Sequence, residues 1–417
     1  MTGSTTTRSG RSLVVAGAGI AGLTLALALK RAHGAALAVT VCDPALKAGA
    51  ARHRGRAYAV AAGGRRMLER LGIWPELGRG AQAVTEMVIS DSRLADPVRP
   101  AFLTFAEEGR GPGEPLAHMV EAEPLAAALL VACRASGIDL VPEGIRRAPV
   151  AGGAVAVELG DGRSLRASLL VAADGARSRL REAAGIGWVG RAYPQSGIVA
   201  TVGHERPHGG RAFQHFLPSG PFAVLPLADG GGLGHRSSIV WTERTADVPA
   251  LLGGDAQDVR AEIERRFVPE LGRIVLEGGP SAHPLMLGVA RRFRAERLAL
   301  LGDAAHVIHP LAGQGLNLGL ADAAALAEAV TGALRLGLDP GGPDVLADYE
   351  RARRFDTVAM AAATDGLNRL FSNDSLPLRL ARDLGLGVVD RLPGLKRFFA
   401  GEAATSRGPR LLRGEPL

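Results

Sequence analysis

Three glycines near the N-terminus have the spacing of a phosphate-binding turn. Gly17, Gly19 and Gly22 form a GxGxxG pattern after the apolar residues LVVA and before a helix-forming stretch that reaches Lys30. Glycine at these places lets the backbone turn tightly and approach a pyrophosphate, while the helix N-terminus offers N–H donors. Asp43, 21 residues after Gly22, ends the next expected strand, where a carboxylate would accept ribose hydroxyls. Together these residues predict a dinucleotide site.

Two more acidic residues follow apolar strands later in the chain. Asp174 comes after LLVAA and Asp303 after LALLG, and Gly313 and Gly315 then precede a helix. In α/β folds, ligand contacts gather at such strand ends. Each Asp–Gly pair alone is typical of an ordinary turn. Together with Asp43, they favour one shared ligand site.

Two alternatives for these motifs stay open. Glycine makes up 56 of 417 residues, about twice the usual share of ~7%, so the first motif could be a packed strand–helix turn with Asp43 in solvent. His306 and His309, with Asp303, have an H-x-x-H spacing that fits one helical turn. A zinc site needs a third or fourth protein ligand, so the sequence predicts no metal.

The elements that would hold these residues alternate between strand and helix at the start of the chain. Strands over residues 13–16 and 37–42, with a helix over 20–32 between them, make a βαβ unit. Further helices are expected over residues 65–71 and 125–136. The pattern is typical of a Rossmann-like α/β domain.

The middle of the chain departs from that pattern. Residues 155–159 and 165–172 flank GDGRS and predict a hairpin whose second arm becomes a buried strand. Short strands between glycine and proline turns over residues 198–243 indicate a separate antiparallel sheet. Alternation returns at residue 298, so the chain leaves its first domain and comes back. Later helices are expected over residues 316–336, 345–371 and 377–392.

The composition is that of a globular protein with two or three domains. Of the 417 residues, 47% are apolar and 22% charged, enough for a core without disulfide or metal support. Cys42 and Cys133 are too few for a disulfide framework, and a reducing cytosol is expected. Residues 13–29 follow Arg8 and Arg11 as in a signal peptide, but their glycines argue against one.

The net charge of +7 raises nucleic acid as a partner. The arginines are scattered, however, and 11 Phe, 3 Trp and 3 Tyr are too few for a base-stacking platform. The sequence therefore predicts no nucleic-acid binding. A basic surface would still suit contact with anionic lipid.

The chain resembles the single-component FAD aromatic hydroxylases, specifically the UbiH-type hydroxylases of ubiquinone biosynthesis. The strings that carry the likeness include LLVAADGARSRLRE, RLALLGDAAHVIHPLAGQGLNLGLADAAAL and YERARRFDTVAMAAATDGLNRLF. The glycine fingerprint is shared by many flavoproteins, whereas GDAAHVIHPLAGQGLNLG and SGPFAVLPL are more specific. The likeness covers most of residues 13 to about 399, with a departure at Ala122-Glu123, where many relatives have Asn-Arg.

The resemblance implies contacts with each part of FAD. The pyrophosphate and ribose would be met by Gly17, Ala18, Gly19, Ile20, Ala21, Gly22, Asp43 and Pro44. The flavin chain and ribityl region would be met by Arg56, Asp174, Gly302 and Asp303. The isoalloxazine would be bordered by Pro310, Gly313, Gly315, Leu316 and Asn317, with a catalytic role expected in the ring-facing pair His309 and Pro310. The substrate wall is expected at Gln214, Phe216 and Leu225, with plain sheet packing as the alternative.

The resemblance also divides the chain. The fold class is α/β, with a discontinuous Rossmann-like FAD-binding domain over residues 12–75, 100–185 and 285–400 that includes the C-terminal helices. An antiparallel β-sheet substrate domain over residues 76–99 and 186–284 is inserted into it. The expected flexible tails are residues 1–11 and 401–417.

The implied activity is hydroxylation of the ring of a polyprenylated phenol or quinol in ubiquinone biosynthesis. NAD(P)H would bind transiently and reduce FAD, and O2 would then form a flavin C4a-hydroperoxide, which must be kept from water. No second GxGxxG follows a strand, and the glycines over 230–234 indicate a hairpin loop instead.

Rival functions stay open at this point. They are a flavin monooxygenase of a soluble aromatic or secondary-metabolite substrate, a non-catalytic flavoprotein-fold scaffold, and an NAD-dependent dehydrogenase, which the late Gly-Asp loop disfavours. A cytoplasmic location is expected. Residues 384–401 mix apolar residues with arginine and lysine, so peripheral contact with the inner face of the membrane or with a ubiquinone-biosynthesis complex is the alternative to packing on the FAD domain.

Overall fold

The predicted βαβ unit lies at the centre of a six-stranded sheet. The computed structural model describes residues 11–53, 55–91, 103–105, 114–372 and 408–417. The strands of this sheet are β1 (Arg11–Ala16), β2 (Leu37–Cys42), β8 (Asp139–Val141), β13 (Leu169–Ala172), β20 (Arg294–Ala295) and β21 (Leu298–Leu300). Their order is β20-β21-β13-β1-β2-β8, and only β20 and β21 are antiparallel. The turns after β1, β2, β13 and β21 therefore leave the same edge of the sheet, which confirms the predicted fold class.

Helix α1 (Ile20–His33) is enclosed because its first half has almost no polar side chains. Every residue from 22 to 29 is buried, and a helix that is apolar all round must be covered on every side. It packs against α4 (Ala122–Ala135) and α8 (Gln314–Arg335). It ends at Gly34, whose φ of +54° favours glycine.

The other helices of this region include one unusually long element. They are α2 (Ala62–Arg70), α3 (Trp74–Leu77), α5 (Arg179–Ala183) and α9 (Pro343–Phe371). Helix α9 has 29 residues, which makes it about 43 Å long. It contacts α8 and also strands of the second large sheet. Within the described ranges, no helix combines the length and apolar character needed to cross a bilayer.

The second large sheet has nine strands and is antiparallel apart from one pair. The strands are β5 (Glu86–Asp91), β6 (Leu103–Phe105), β14 (Trp188–His204), β15 (Arg211–Leu217), β16 (Gly220–Leu227), β17 (His235–Arg244), β18 (Ile274–Leu276), β19 (Ser281–Ala290) and β22 (His306–Val307). Their order is β22-β19-β14-β17-β16-β15-β5-β6, with β18 beside β14, and β5 is parallel to β15. One face packs on α6 (Val248–Leu252) and α7 (Ala256–Glu264). The glycines over 230–234 form the loop between β16 and β17, as predicted.

Two small sheets and short 3₁₀ helices complete the description. The small sheets comprise β3 (Ala57–Val60), β4 (Ala81–Val84) and β7 (Ala117–Glu121) in one, and β9 (Ile145–Arg147), β10 (Val150–Ala151), β11 (Ala154–Leu159) and β12 (Ser164–Ala167) in the other. The 3₁₀ segments are Gly34–Ala36, Pro44–His53, Gly78–Gly80, Pro269–Leu271, Gly302–Ala304, Leu311–Gly313 and Arg410–Arg413.

The expected hairpin is only partly right. Its second arm, residues 165–172, is two strands in two sheets: β12 pairs with β11, while β13 pairs with β1 and β21. The change of partner occurs at Ser168, whose N–H donates to the carbonyl of Ser12 at 2.8 Å. The two halves differ in burial, because β12 has exposed residues at positions 164 and 166, whereas every residue of β13 is buried.

Sheet membership and the C-terminus also differ from expectation. Strand β4 falls within the expected substrate range 76–99, yet it pairs with β7 in the three-stranded sheet. Strand β22 and all but the first four residues of β19 fall within the expected FAD range, yet both strands belong to the nine-stranded sheet. Residues 408–417 are packed rather than a loose tail: Leu411 and Leu412 are buried, and Arg66 Nε donates to the carbonyl of Leu412 at 2.9 Å. The expected helix over 377–392 and the segment 384–401 lie outside the described residues.

Candidate functional site

A cavity of about 530 Å³ is lined on one side by turns that follow strands of the six-stranded sheet and on another by strands of the nine-stranded sheet. Its turn side is defined by Gly19, Gly22, Gly302, Asp303 and Gly315, which lie in the turns after β1 and β21 and in the first turns of α1 and α8. Its sheet side is defined by strand residues of the nine-stranded sheet, namely Val199, Ala212, Gln214, Ala223 and Val240. The two sides differ in chemistry, and each follows from its local fold.

The glycine turn after β1 is too tight for other residues. Gly17 has φ +113°, and a Cβ there would lie 2.1 Å from the carbonyl oxygen of Ala173. A Cβ on Gly22 would lie 2.3 Å from the carbonyl oxygen of Gly17. At Gly19, by contrast, nothing lies within 4 Å of the added atom, because that position faces the cavity. The first turn of α1 has no acidic residue and begins at this cradle, so its free N–H groups fit a diphosphate.

Asp43 fixes that turn to the end of β2. Its Oδ2 accepts the N–H of Ala18 at 2.7 Å, and its Oδ1 accepts the N–H of Ala45 at 2.8 Å. The N–H of Gly17 donates to the carbonyl of Cys42 at 2.8 Å. Asp43 therefore lies beside the glycine turn, and its bonds to backbone amides orient the turn, while its contact with a ribose stays a prediction.

Asp303 carries a carboxylate into the cavity wall. It follows Gly302, which has φ +60°, and its side chain is exposed to the cavity space. The surrounding protein displaces much of the solvent around this carboxylate, which raises the pKa of Asp303, as does the nearby Asp322, while the electrostatic effects of His306 and Arg56 lower it. Arg56 also lines the cavity. This part of the wall thus combines a carboxylate, a guanidinium and backbone amides.

The start of α8 is attached to β3 through Asn317. Its Nδ2 donates to the carbonyl of Ala59 at 2.9 Å, and its Oδ1 accepts the N–H of Ala61 at 3.0 Å. Gly313 has φ +63°, and a Cβ there would lie 3.1 Å from the Cβ of Ala59. Both polar atoms of the Asn317 side chain thus form hydrogen bonds within the protein, and Gly315 lines the cavity.

His309 is a neutral, buried histidine at the cavity wall. It is 0% exposed, and burial lowers its pKa to about 4. Its Nδ1 accepts the N–H of Leu311 at 3.3 Å, so the proton lies on Nε2, which has no hydrogen-bond partner among the described residues. The ring meets Tyr193 edge-on with centroids 5.3 Å apart. His309 can therefore donate one hydrogen bond, and it carries no charge at neutral pH.

The H-x-x-H spacing does not form a helical turn. His306 lies in strand β22, and its Nε2 is 2.6 Å from Oδ2 of Asp322. In the part of the chain that the structure describes, no group of three or more His, Cys, Asp or Glu residues could hold a metal ion. The expectation that His306 and His309 are spaced on one helical turn is therefore wrong.

The sheet side is made of small side chains, because the two faces of the sheet alternate. Gln214, Ala223, Val240 and Val199 are successive cross-strand partners on β15, β16, β17 and β14, and all line the cavity. The adjacent row points the other way. It contains Phe222, Trp241 and Ile198, which are buried against α7. Large residues thus fill the α7 face, and small ones leave space on the cavity face.

Most predicted site residues line the cavity. They are Gly19, Ile20, Ala21, Gly22, Arg56, Gln214, Leu225, Gly302, Asp303, His309, Pro310, Gly313, Gly315, Leu316 and Asn317. Five others are not among the lining residues: Gly17, Ala18, Asp43, Pro44 and Asp174. Asp174 has an exposed side chain next to Gly175, which does line the cavity. The prediction fails for Phe216, which is buried and stacks on Phe371 with centroids 4.3 Å apart.

Several residues of the site had no recognisable motif. Ala223, Val240 and Thr242 line the sheet side, and their only signal is the strand alternation that was available from the sequence. Asp322 is fully buried behind the Gly302 turn. Its signal was an isolated acid among the apolar residues GLADAAAL, which requires a buried partner.

Comparison with known proteins gives a consistent set of relatives. A sequence profile described as FAD binding domain matches residues 148–364. The ubiquinone hydroxylase UbiL of Rhodospirillum rubrum is 44% identical over 418 residues, covering 97% of this chain and 93% of that protein. The 3-demethoxyubiquinol 3-hydroxylase of Escherichia coli is 39% identical over 242 residues, covering 58% of this chain and 60% of that protein. The structure of PqsL from P. aeruginosa in complex with 2-aminobenzoylacetate has the same fold, with TM-score 0.74, 23% identity, and 92% and 100% of the two chains covered.

Proposed function

Because this chain belongs to the FAD-dependent hydroxylases of ubiquinone biosynthesis, we propose that it hydroxylates the aromatic ring of a polyprenylated phenol or quinol. The observation that carries the proposal is a single cavity with a glycine-rich turn side and an apolar sheet side. Such a cavity can place a lipophilic ring directly beside a bound flavin. A soluble aromatic substrate is the competing possibility, and the substrate comparison below distinguishes the two.

In this proposal, the turn side holds FAD. The N–H groups at Gly19 and in the first turn of α1 bind the pyrophosphate, and Arg56 neutralises part of its charge. Asp303 lies by the ribityl chain, and the backbone at Gly315 and Leu316 meets the ring. FAD supplies the activation of O2 after reduction by NAD(P)H, which binds transiently without a second dinucleotide fold. Asp43, behind the turn, holds the backbone in place.

The sheet side holds the substrate ring. Ala223 and Val240 leave room for it, and Gln214 and Thr242 supply polar groups for its oxygen substituents. Neutral His309 offers an Nε2–H at the same wall. The apolar lining excludes water from the reacting atoms, as flavin oxygenation requires.

A lipophilic substrate also favours contact with a membrane surface. On α9, Phe355 is 80% exposed and Val358 47% exposed, and Arg354, which precedes Phe355, is exposed as well. We propose that this patch touches anionic lipid. Co-sedimentation with anionic vesicles should fall for Phe355→Ser and remain for Leu336→Ser, an exposed leucine elsewhere. If both variants co-sedimented with the vesicles as much as the wild type does, the proposed membrane contact would be contradicted.

The experiment that tests the function measures oxygenation directly. Purified protein should be yellow, and a short-chain prenylphenol should accelerate NADPH oxidation and gain one oxygen atom, as detected by mass spectrometry. A soluble phenol without the prenyl chain serves as the comparison. Faster turnover of the soluble phenol would favour the competing substrate class, and protein that takes up no FAD would overturn the proposal.

A further inference from the structure

One buried carboxylate bonds both ends of the turn that carries Asp303. Oδ2 of Asp322 accepts the N–H of Gly302 at 3.1 Å and lies 2.6 Å from Nε2 of His306. Gly302 follows β21 of the six-stranded sheet, and His306 begins β22 of the nine-stranded sheet. Asp322 therefore closes the short connection between the two large sheets from behind the cavity wall.

The same carboxylate is tied to helix α9. Oδ1 of Asp322 accepts a hydrogen bond from Nε of Arg353 at 2.8 Å. Asp322 is 0% exposed, and His306 and Arg353 are each 2% exposed. Charges buried this deeply are stable only when they are paired and hydrogen-bonded. Burial alone would raise the pKa of Asp322, but His306 and Arg353 hold it below its usual value, so the group is an anion in the folded protein.

The turn needs such a support because its backbone is not regular. Gly302 has φ +60°, and the residues Gly302–Ala304 form a single 3₁₀ turn. The N–H of Ala305 donates to the carbonyl of Gly302, and Arg181 donates to the carbonyl of Ala304. Asp322 bonds the first residue of the turn, Gly302, and the side chain of the last, His306. The position of Asp303 at the cavity depends on both ends of this turn.

We propose that Asp322 is a positioning residue for the cofactor, which holds the turn from Gly302 to His306 so that Asp303 and the neighbouring backbone meet FAD. This inference rests on the proposed function in one respect, that the turn side of the cavity binds FAD. Asp322 itself does not line the cavity. It acts through Gly302 and His306, both of which do.

The test measures FAD affinity and folding stability separately. Apoprotein is titrated with FAD for the wild type, for Asp322→Leu, and for Asp322→Leu combined with Arg353→Met. The single variant leaves the buried guanidinium charge of Arg353 with only the more exposed Asp356, at 3.5 Å, and should lose stability. The double variant removes that charge and should regain most of it. We expect the dissociation constant for FAD to rise at least tenfold in both, because a leucine side chain cannot accept the hydrogen bonds that Oδ2 of Asp322 accepts at Gly302 and His306.

Two further variants keep the test decisive. His306→Leu breaks one end of the turn while leaving the pair of Asp322 and Arg353 intact, and it should raise the FAD dissociation constant severalfold even if the double variant does not fold. Glu243→Gln breaks a buried ion pair with Arg266 on the α7 face of the sheet. It should lower stability and leave FAD affinity unchanged, which separates positioning from general loosening.

The outcomes distinguish this inference from the proposed function. Wild-type protein that takes up no FAD would overturn the proposed function and this inference with it. Wild-type protein that binds FAD, with a stable double variant and His306→Leu of equal affinity, would overturn the inference alone. Weakened FAD binding in both, with unchanged binding in Glu243→Gln, would support it.

Discussion

The two sides of the cavity are built from different parts of the polypeptide. On the turn side, backbone geometry makes the surface: Gly17 and Gly22 lie where a Cβ would meet a carbonyl oxygen at 2.1 and 2.3 Å. On the sheet side, side-chain volume makes the surface, since Ala223 and Val240 alternate with the large residues Phe222 and Trp241 of the opposite face. The turn side therefore allows very few residue types, whereas the sheet side can change its shape by ordinary apolar substitutions.

The largest effect is expected from breaking the turn side. Gly17→Ala introduces a Cβ 2.1 Å from the oxygen of Ala173 at a φ of +113°, and such a clash should cost about 4 kcal/mol or more of unfolding free energy. Gly19→Ala is the matched control, because nothing lies within 4 Å of its Cβ. It should keep the stability of the apoprotein and lower only FAD occupancy. Thermal unfolding with and without FAD measures both, and equal stability of the two variants would contradict the account.

The dependence of folding stability on acidic pH should reveal the buried, neutral His309 at the cavity wall. The unfolded chain binds a proton on His309 near pH 6.5, but the folded protein does so only near pH 4. Stability must therefore fall as the pH drops through this window, by about 3 kcal/mol for this group. His309→Gln should flatten that dependence when unfolding free energy is measured by urea denaturation from pH 7 to 4. His118, whose pKa burial also lowers to about 4, should retain its own share, and an unchanged slope in His309→Gln would count against the assignment.

Filling the sheet side should affect the substrate and spare FAD. Ala223→Leu adds volume at the centre of the cavity-facing row, and we expect kcat/KM for a prenylphenol to fall about tenfold, which corresponds to about 1.4 kcal/mol. The flavin content should stay at the wild-type level. Val224→Ala is the matched control on the α7 face, where it should reduce stability and leave kcat/KM unchanged. Loss of FAD from Ala223→Leu would contradict the assignment of FAD to the turn side and of the substrate to the sheet side.

The smallest effect on folding stability is expected from the ion pairs that link the nine-stranded sheet to the three-stranded sheet. Arg236 of the nine-stranded sheet bonds Glu121 at the end of β7, at 3.1 and 3.2 Å, and Glu277 at 2.7 Å. These groups are partly exposed, so Arg236→Met should cost only about 1 kcal/mol of stability. Arg273→Met removes a pair that is more exposed and joins no separate regions, and it should cost nothing measurable by the same denaturation assay. Equal losses of stability in the two variants would contradict a role of Arg236 in linking the two sheets.

The difference between the sides also explains how much the sequence predicts. The glycine turn and Asp43 were recognisable because a backbone that turns this tightly requires glycine, and the strands and helices around them follow from hydrophobic periodicity. Gln214 and Leu225 line the cavity, and their contact with a substrate stays a prediction. Phe216 does not line it, because it points to the same sheet face but is covered by Phe371, a contact 155 residues away in sequence that no local pattern contains.

Long-range partners account for the other differences. Asp322 is marked in the sequence only as an isolated acid among apolar residues, and its partners Gly302, His306 and Arg353 are brought to it by the folded chain. The division of residues 165–172 at Ser168 depends on which sheet each half joins. Leu411 and Leu412 are buried although they lie in a stretch with the composition of a tail. In each case tertiary contacts stabilise the observed arrangement and override the local structural propensity of the sequence.

The most direct test of the two-sided cavity is a titration followed through the flavin itself. Wild-type holoprotein is titrated with a short-chain prenylphenol while the visible absorption spectrum of bound FAD is recorded. If a lipophilic ring binds on the sheet side beside the flavin, the spectrum should change saturably, and the same FAD-loaded protein carrying Ala223→Leu should need a higher concentration. A flavin spectrum that does not respond, or responds equally in both proteins, would contradict the account.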